Sequence, residues 1–84
     1  MITHYILKNW SVVNKYCLHG FVYNHPRFED GKEITTSTMV NLVNEKFIET
    51  YSGSLYELDY IDPEYERLYP DAKNRLFLSL LKRS

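Results

Sequence analysis

Tyr5-Ile6-Leu7-Lys8-Asn9-Trp10-Ser11-Val12-Val13-Asn14-Lys15-Tyr16-Cys17-Leu18-His19-Gly20-Phe21-Val22-Tyr23 is the stretch that decides the fold. Its aromatic and β-branched residues fit a pleated surface and read as two strands, Tyr5 to Val13 and Tyr16 to Tyr23. Asn14-Lys15 between them closes a two-residue hairpin, a weaker signal than Asn-Gly. That turn sets Trp10 opposite His19 and His4 opposite His25. Asn24-His25-Pro26 then ends the second strand, because proline donates no ladder hydrogen bond and restricts the residue before it.

Outward from this hairpin the same alternation continues. Glu29-Asp30-Gly31-Lys32 is a turn, since Asp bonds its own backbone and Gly takes a positive φ without strain. Ile34 to Val43 follows as one long strand. Ile34, Thr36, Thr38, Val40 and Leu42 share one face, and Thr35, Ser37, Met39, Asn41 and Val43 the other. Asn44-Glu45 is the next turn, Phe47 to Tyr51 the fourth strand, and Ser52-Gly53-Ser54 a tight turn. Leu55 to Tyr60 is the fifth strand, with Tyr56, Leu58 and Tyr60 on one face. The period then changes. Asp62-Pro63-Glu64 caps and starts a short helix to about Leu68, and Pro70 interrupts it. A second helix runs from Asp71 to about Lys82, with an apolar stripe of Ala72, Leu76, Phe77, Leu80 and Leu81 and with Lys82 and Arg83 at its negative end. The expected architecture is an α+β fold: a five-stranded antiparallel meander or small open β-barrel with C-terminal helices. It forms one domain over 1–84, β-rich over 1–61, with the helical tail of 62–84 packed on the sheet.

Composition sets the class. The chain has 84 residues, 44% hydrophobic and 25% charged, the mixture of an ordinary folded domain rather than a disordered one. Eight Tyr, four Phe and one Trp make it rich in aromatics, a feature shared by sheets, cores and interfaces. The net charge of −1 lacks the basic excess that phosphate neutralisation requires and argues against nucleic-acid binding. Cys17 is the single cysteine, so no internal disulfide forms, which suits a reducing compartment. Met1 to Val13 does not read as a signal peptide, and no apolar run approaches the roughly 20 residues of a membrane helix. The expected location is the cytoplasm.

The segment His25-Pro26-Arg27-Phe28-Glu29-Asp30-Gly31-Lys32-Glu33-Ile34-Thr35-Thr36-Ser37 concentrates the polar chemistry. Arg27 offers a planar fork suited to phosphate or carboxylate, unless it pairs with Glu29 or Glu33. Thr35, Thr36 and Ser37 are hydroxyl donors, and Ser52-Gly53-Ser54 can present backbone N–H groups as an anion nest. Should both turns approach one rim, the ligand-binding set is His25, Arg27, Thr35, Thr36, Ser37, Ser52, Gly53 and Ser54. Discounting Asp30-Gly31 as turn chemistry leaves Arg27, the three hydroxyls and His25 as its centre.

Other chemistries are weaker. His4, His19 and His25 lack the paired spacing of a structural zinc site, so no metal and no cofactor is expected. No nucleophile elbow, P-loop or His-Glu-x-x-His run is present. An enzyme would have to use His25 with Asp30, or Cys17 with His19. Tyr51, Tyr56, Tyr60, Tyr65 and Tyr69 interleave with Glu57, Asp59, Asp62, Glu64 and Glu66, a surface that could meet a protein partner. Exposed strand edges also favour a homodimer.

The run at 25–37, with Asn9-Trp10-Ser11-Val12-Val13 before it and Ser52-Gly53-Ser54-Leu55-Tyr56-Glu57-Leu58 after it, resembles a pattern of short proteins from bacteria and their mobile elements, phage included. No activity is established for that group, so the resemblance implies no functional residue. The leading expectation is a small non-enzymatic module that binds an anionic small molecule or nucleotide. The alternative is a protein–protein module, an inhibitor or assembly factor, and the third is a small enzyme using His25.

Overall fold

The computed structural model describes residues 3–83. Met1, Ile2 and Ser84 lie outside the described residues, as does the side chain of Arg83, expected at the negative end of the last helix. Six strands are followed by two helices: β1 (Tyr5–Val13), β2 (Cys17–Tyr23), β3 (Lys32–Thr35), β4 (Met39–Val43), β5 (Phe47–Thr50), β6 (Leu55–Leu58), α1 (Pro63–Leu68) and α2 (Ala72–Arg83). They form an α+β fold around one mixed sheet of order β3-β2-β1-β6-β5-β4.

Two expectations about the sheet need correction. The strands number six rather than five, because the run Ile34 to Val43 breaks at Thr36–Thr38 into β3 and β4, which lie at opposite ends of the sheet. The sheet is also mixed rather than purely antiparallel, and it stays open. β3-β2-β1 and β6-β5-β4 are two antiparallel meanders. Within each, alternation makes the first and last strands point the same way. Because β3 continues into β4 without reversing, β1 and β6 must meet in parallel, and they do, with Tyr5 opposite Tyr56 and Leu7 opposite Leu58.

The three residues between β3 and β4 also force curvature. Four chain steps reach at most about 14 Å, whereas six flat strands span roughly 24 Å. The sheet therefore curls, bringing its outer strands towards each other. One backbone bond marks the approach: Met39 N–H at the start of β4 donates to Tyr16 O just before β2, at 2.7 Å.

The β1–β2 hairpin differs in detail from the two-residue expectation. Asn14 and Lys15 are left-handed (φ 53° and 67°), but Val13 pairs with Cys17, so the loop has three residues. Ser11, not Trp10, consequently faces His19. A bulge at Asn9, also left-handed at φ 53°, follows in β1. The extra residue turns both Leu7 and Trp10 inward despite their odd spacing, and they are 0% and 1% exposed. The β4–β5 hairpin repeats the device, with Asn44 and Glu45 left-handed and Val43 paired with Phe47.

Leu7, Trp10, Leu18, Val22, Met39, Ile48, Tyr56, Leu58 and Leu80 form the core inside the curl. Trp10 is fixed by its indole N–H, which donates to Asp59 O at 2.9 Å. Tyr60, grouped by alternation with Tyr56 and Leu58, is exposed because β6 ends at Leu58. The helices follow their local signals. Asp62 accepts from Glu64 N–H at 2.9 Å, with Pro63 in the first turn. On α2, Ala72 and Leu80 are buried and Leu76 and Phe77 pack on the core. Leu81 stays 48% exposed, so the expected stripe is one residue too wide. Among the described residues no helix is long and apolar enough to cross a membrane.

Candidate functional site

The β2–β3 loop is built by short-range bonds. Asn24, left-handed at φ 67°, receives the Asp30 carboxylate on its N–H at 2.9 Å. Gly31 N–H reaches Val22 O at 2.8 Å and Lys32 N–H reaches Glu29 O at 3.0 Å. Asp30-Gly31 is therefore turn chemistry, and the Asp30 Oδ1 that might have met His25 caps Asn24. Inside this loop, Phe28 N–H bonds His25 O at 3.3 Å, a β-turn with Pro26 at its favoured second position. Arg27 N–H donates to His25 Nδ1 at 3.1 Å. A ring nitrogen that accepts carries no proton, so the neutral ring holds its proton on Nε2. Burial, and then the Arg27 charge, hold the His25 pKa below the usual imidazole value.

The His25 ring is clasped between two others. Its centroid lies 4.2 Å from Tyr5 and 4.7 Å from Phe28, and Tyr5 meets Tyr56 edge-on at 5.8 Å. Burial pushes the Tyr56 phenol up, with a side-chain hydrogen bond to Ser54 opposing it. These rings border a cleft of about 480 Å³ where the curled sheet stays open. The 25–28 turn forms one end, Ile34 to Ser37 one wall, and Ser52 and Ser54 the other.

Seven of the eight site residues expected from sequence line this cleft: His25, Arg27, Thr35, Thr36, Ser37, Ser52 and Ser54. Gly53 does not line it. Its positive φ of 90° serves the turn, and its N–H bonds Thr50 O at 2.8 Å. Ser52 N–H is likewise engaged, donating to Ser37 Oγ at 3.2 Å. Two of the three amides expected to form an anion nest are thus bonded within the protein. The Ser37 and Ser52 hydroxyls meet at 3.3 Å and tie the two walls together. Thr36 is buried, accepting from Leu18 N–H at 3.0 Å and donating to Ser37 O at 2.8 Å, so its hydroxyl supports the wall instead of facing a ligand.

Arg27 differs from all of these. Glu33, one candidate partner, pairs instead with His19 at 2.7 Å. No carboxylate lies within 4.0 Å of the Arg27 guanidinium among the described residues. No Asp or Glu lines the cleft at all. A second cavity, about 750 Å³ beneath Trp10 and α1, has the opposite character, lined by Asp59, Glu66 and Asp71 against Lys73. It is larger, but it sets three carboxylates against one ammonium, and two of the three already have partners: Asp59 with Lys8 and Asp71 with Asn74. The histidines stay apart, with His4 on Glu57 at 3.1 Å and His19 on Glu33. Among the described residues no three His, Cys, Asp or Glu side chains gather as a metal-holding group.

The aromatic part of the cleft was missed from sequence. Tyr5 and Tyr56 come together only through the parallel β1–β6 register, which no local pattern announces. Phe28 lies inside the polar segment, and its ring signal was overshadowed by the charges around it. Comparison with protein-family models, with curated proteins and with solved structures finds no match to this chain.

Proposed function

We propose that this protein is a small, non-enzymatic binding module that holds an anionic small molecule or nucleotide in the Arg27 cleft. The carrying observation is an unpaired guanidinium at the mouth of a cleft with no carboxylate in its walls, in a chain with eleven Asp and Glu. An arginine fork in such surroundings favours a carboxylate or phosphate oxygen pair. Thr35 and His25 Nε2–H are donors beside it, and the tied Ser37–Ser52 hydroxyls hold the opposing walls at fixed separation. The volume falls within the roughly 300–1,000 Å³ typical of small-molecule sites.

Arg27→Ala tests this. Arg27 is exposed and bears no structural ion pair, so the melting temperature should stay within about 1 °C, since surface changes of this kind are nearly neutral. Binding of adenosine 5′-monophosphate, followed by NMR titration of the Thr35 and Ser37 amides, should weaken roughly 10- to 100-fold through loss of a charge-assisted bond. A large drop in stability with unchanged affinity would show Arg27 to be structural and would sink the reading.

A protein–protein role, as inhibitor or assembly factor or in a homodimer, is favoured by a separate observation. Tyr60, Leu68 and Tyr69 are 57%, 63% and 52% exposed beside Asp59, Glu64 and Glu66. Stoichiometric recovery of a protein, with no small molecule in a native mass spectrum, would favour it.

A further inference from the structure

Phe28 ends a series of rings and lines the cleft. Tyr56, Tyr5, His25 and Phe28 contact one another in sequence, and Phe28 remains 38% exposed. From these contacts we propose that the ligand carries a flat ring beside its anionic group, and that Phe28 is the surface on which that ring stacks. The class is a nucleoside monophosphate, and the inference rests on the reading of the cleft as an anion site.

Three observations converge on it. The Phe28 ring is braced at 4.7 Å by His25, which Tyr5 braces in turn at 4.2 Å. A stacking surface held this way loses little side-chain freedom when a base arrives, which is the condition for affinity from preorganisation. Arg27 is the adjacent residue of the same β-turn. Ring and anion contacts therefore start from Cα atoms about 3.8 Å apart, matching a ligand whose base and phosphate belong to one small molecule. Finally, the cleft offers one guanidinium and no second cation, since His25 is held neutral by accepting Arg27 N–H at 3.1 Å. One fork serves one phosphate, and a triphosphate would leave its further charges without partners. His25 Nε2–H and the Thr35 hydroxyl are the donors placed to meet acceptors on the ring or sugar.

The test compares three probes by NMR titration: adenosine 5′-monophosphate, ribose 5-phosphate and inorganic phosphate. The wild-type protein should bind the nucleotide roughly 5- to 150-fold more tightly than ribose 5-phosphate, the range that base–aromatic stacking supplies. Phe28→Leu, which keeps apolar bulk against His25 so that the loop stays folded, should reduce the nucleotide to the ribose 5-phosphate level. Phe28→Tyr should retain the preference. Equal binding of nucleotide and ribose 5-phosphate by the wild type, or an undiminished preference in Phe28→Leu, would overturn the ring assignment and leave the anion site standing. Failure of all three probes to shift any cleft resonance would remove the anion site and this inference with it.

Discussion

His25 acts as a hydrogen-bond acceptor, and that role ties the site to pH. Its Nδ1 receives Arg27 N–H, a bond that protonation at Nδ1 abolishes. The folded ring's pKa lies below its ordinary value because of burial first and Arg27 second. Above about pH 6.5, the unperturbed value, folded and unfolded chains both hold the ring neutral and stability is full. As pH falls below that point the unfolded chain takes up the proton first, so stability declines until the folded pKa is reached. His25→Asn supplies an amide oxygen that can accept the same N–H and does not titrate. The wild type should therefore lose more melting temperature than His25→Asn between pH 7.5 and 5.5. Equal losses in the two proteins would show that titration of His25 does not contribute to stability. At this scale the sequence was partly legible. Asp30-Gly31 announces its turn because the chemistry is local. That Arg27 lacks a partner depends on Glu33 reaching His19, a cross-strand contact set by the β2–β3 register. Thr36 looks like any strand hydroxyl, and only the approach of Leu18 N–H makes it structural.

Asn9 decides which side chains of β1 enter the core. Strict alternation from Leu7 would send Trp10 outward, and the left-handed residue at position 9 inserts the step that turns it in. A β-branched residue is poorly suited to φ 53°. Asn9→Val should cost about 1–2 kcal/mol, the penalty of a left-handed Cβ, whereas Asn9→Gly should be close to neutral. Urea denaturation of the two variants checks this. If Asn9→Val unfolds at the wild-type midpoint, the bulge is not what seats Trp10. Elements with local punctuation were readable in advance, α1 above all, because Asp62 and Pro63 define its start by themselves. The break at Thr36–Thr38 had no such mark. Ile34 to Val43 contains no glycine or proline, and the strand divides because β3 finds β2 while β4 finds β5 at the far end of the sheet.

Across the whole molecule, the curl has two separate dependants. At one place α2 inserts Leu80, 2% exposed, into the core against the sheet's inner face. At the opening, the cleft takes walls from both meanders: Ile34–Ser37 from the first, with its trailing residues, and Ser52 and Ser54 from the second. Truncating a buried leucine costs about 2–5 kcal/mol, against a total of roughly 4–13 kcal/mol for a domain of this length. Leu80→Ala should thus be severely destabilising, while Leu81→Ala, at a 48% exposed position, should change stability by no more than about 0.5 kcal/mol. Trp10 fluorescence reports both, since the indole is buried beside the β1–β6 junction. The cleft walls are tied by Ser37 and Ser52 and by the backbone bond from Tyr51 to Thr38, none of which involves α2. If the cleft holds the proposed nucleotide, its affinity, corrected for the folded fraction, should accordingly be the same in Leu80→Ala as in the wild type. A weaker corrected affinity would mean that the helix sets the width of the opening through the curl, and that core and cleft are one mechanical unit.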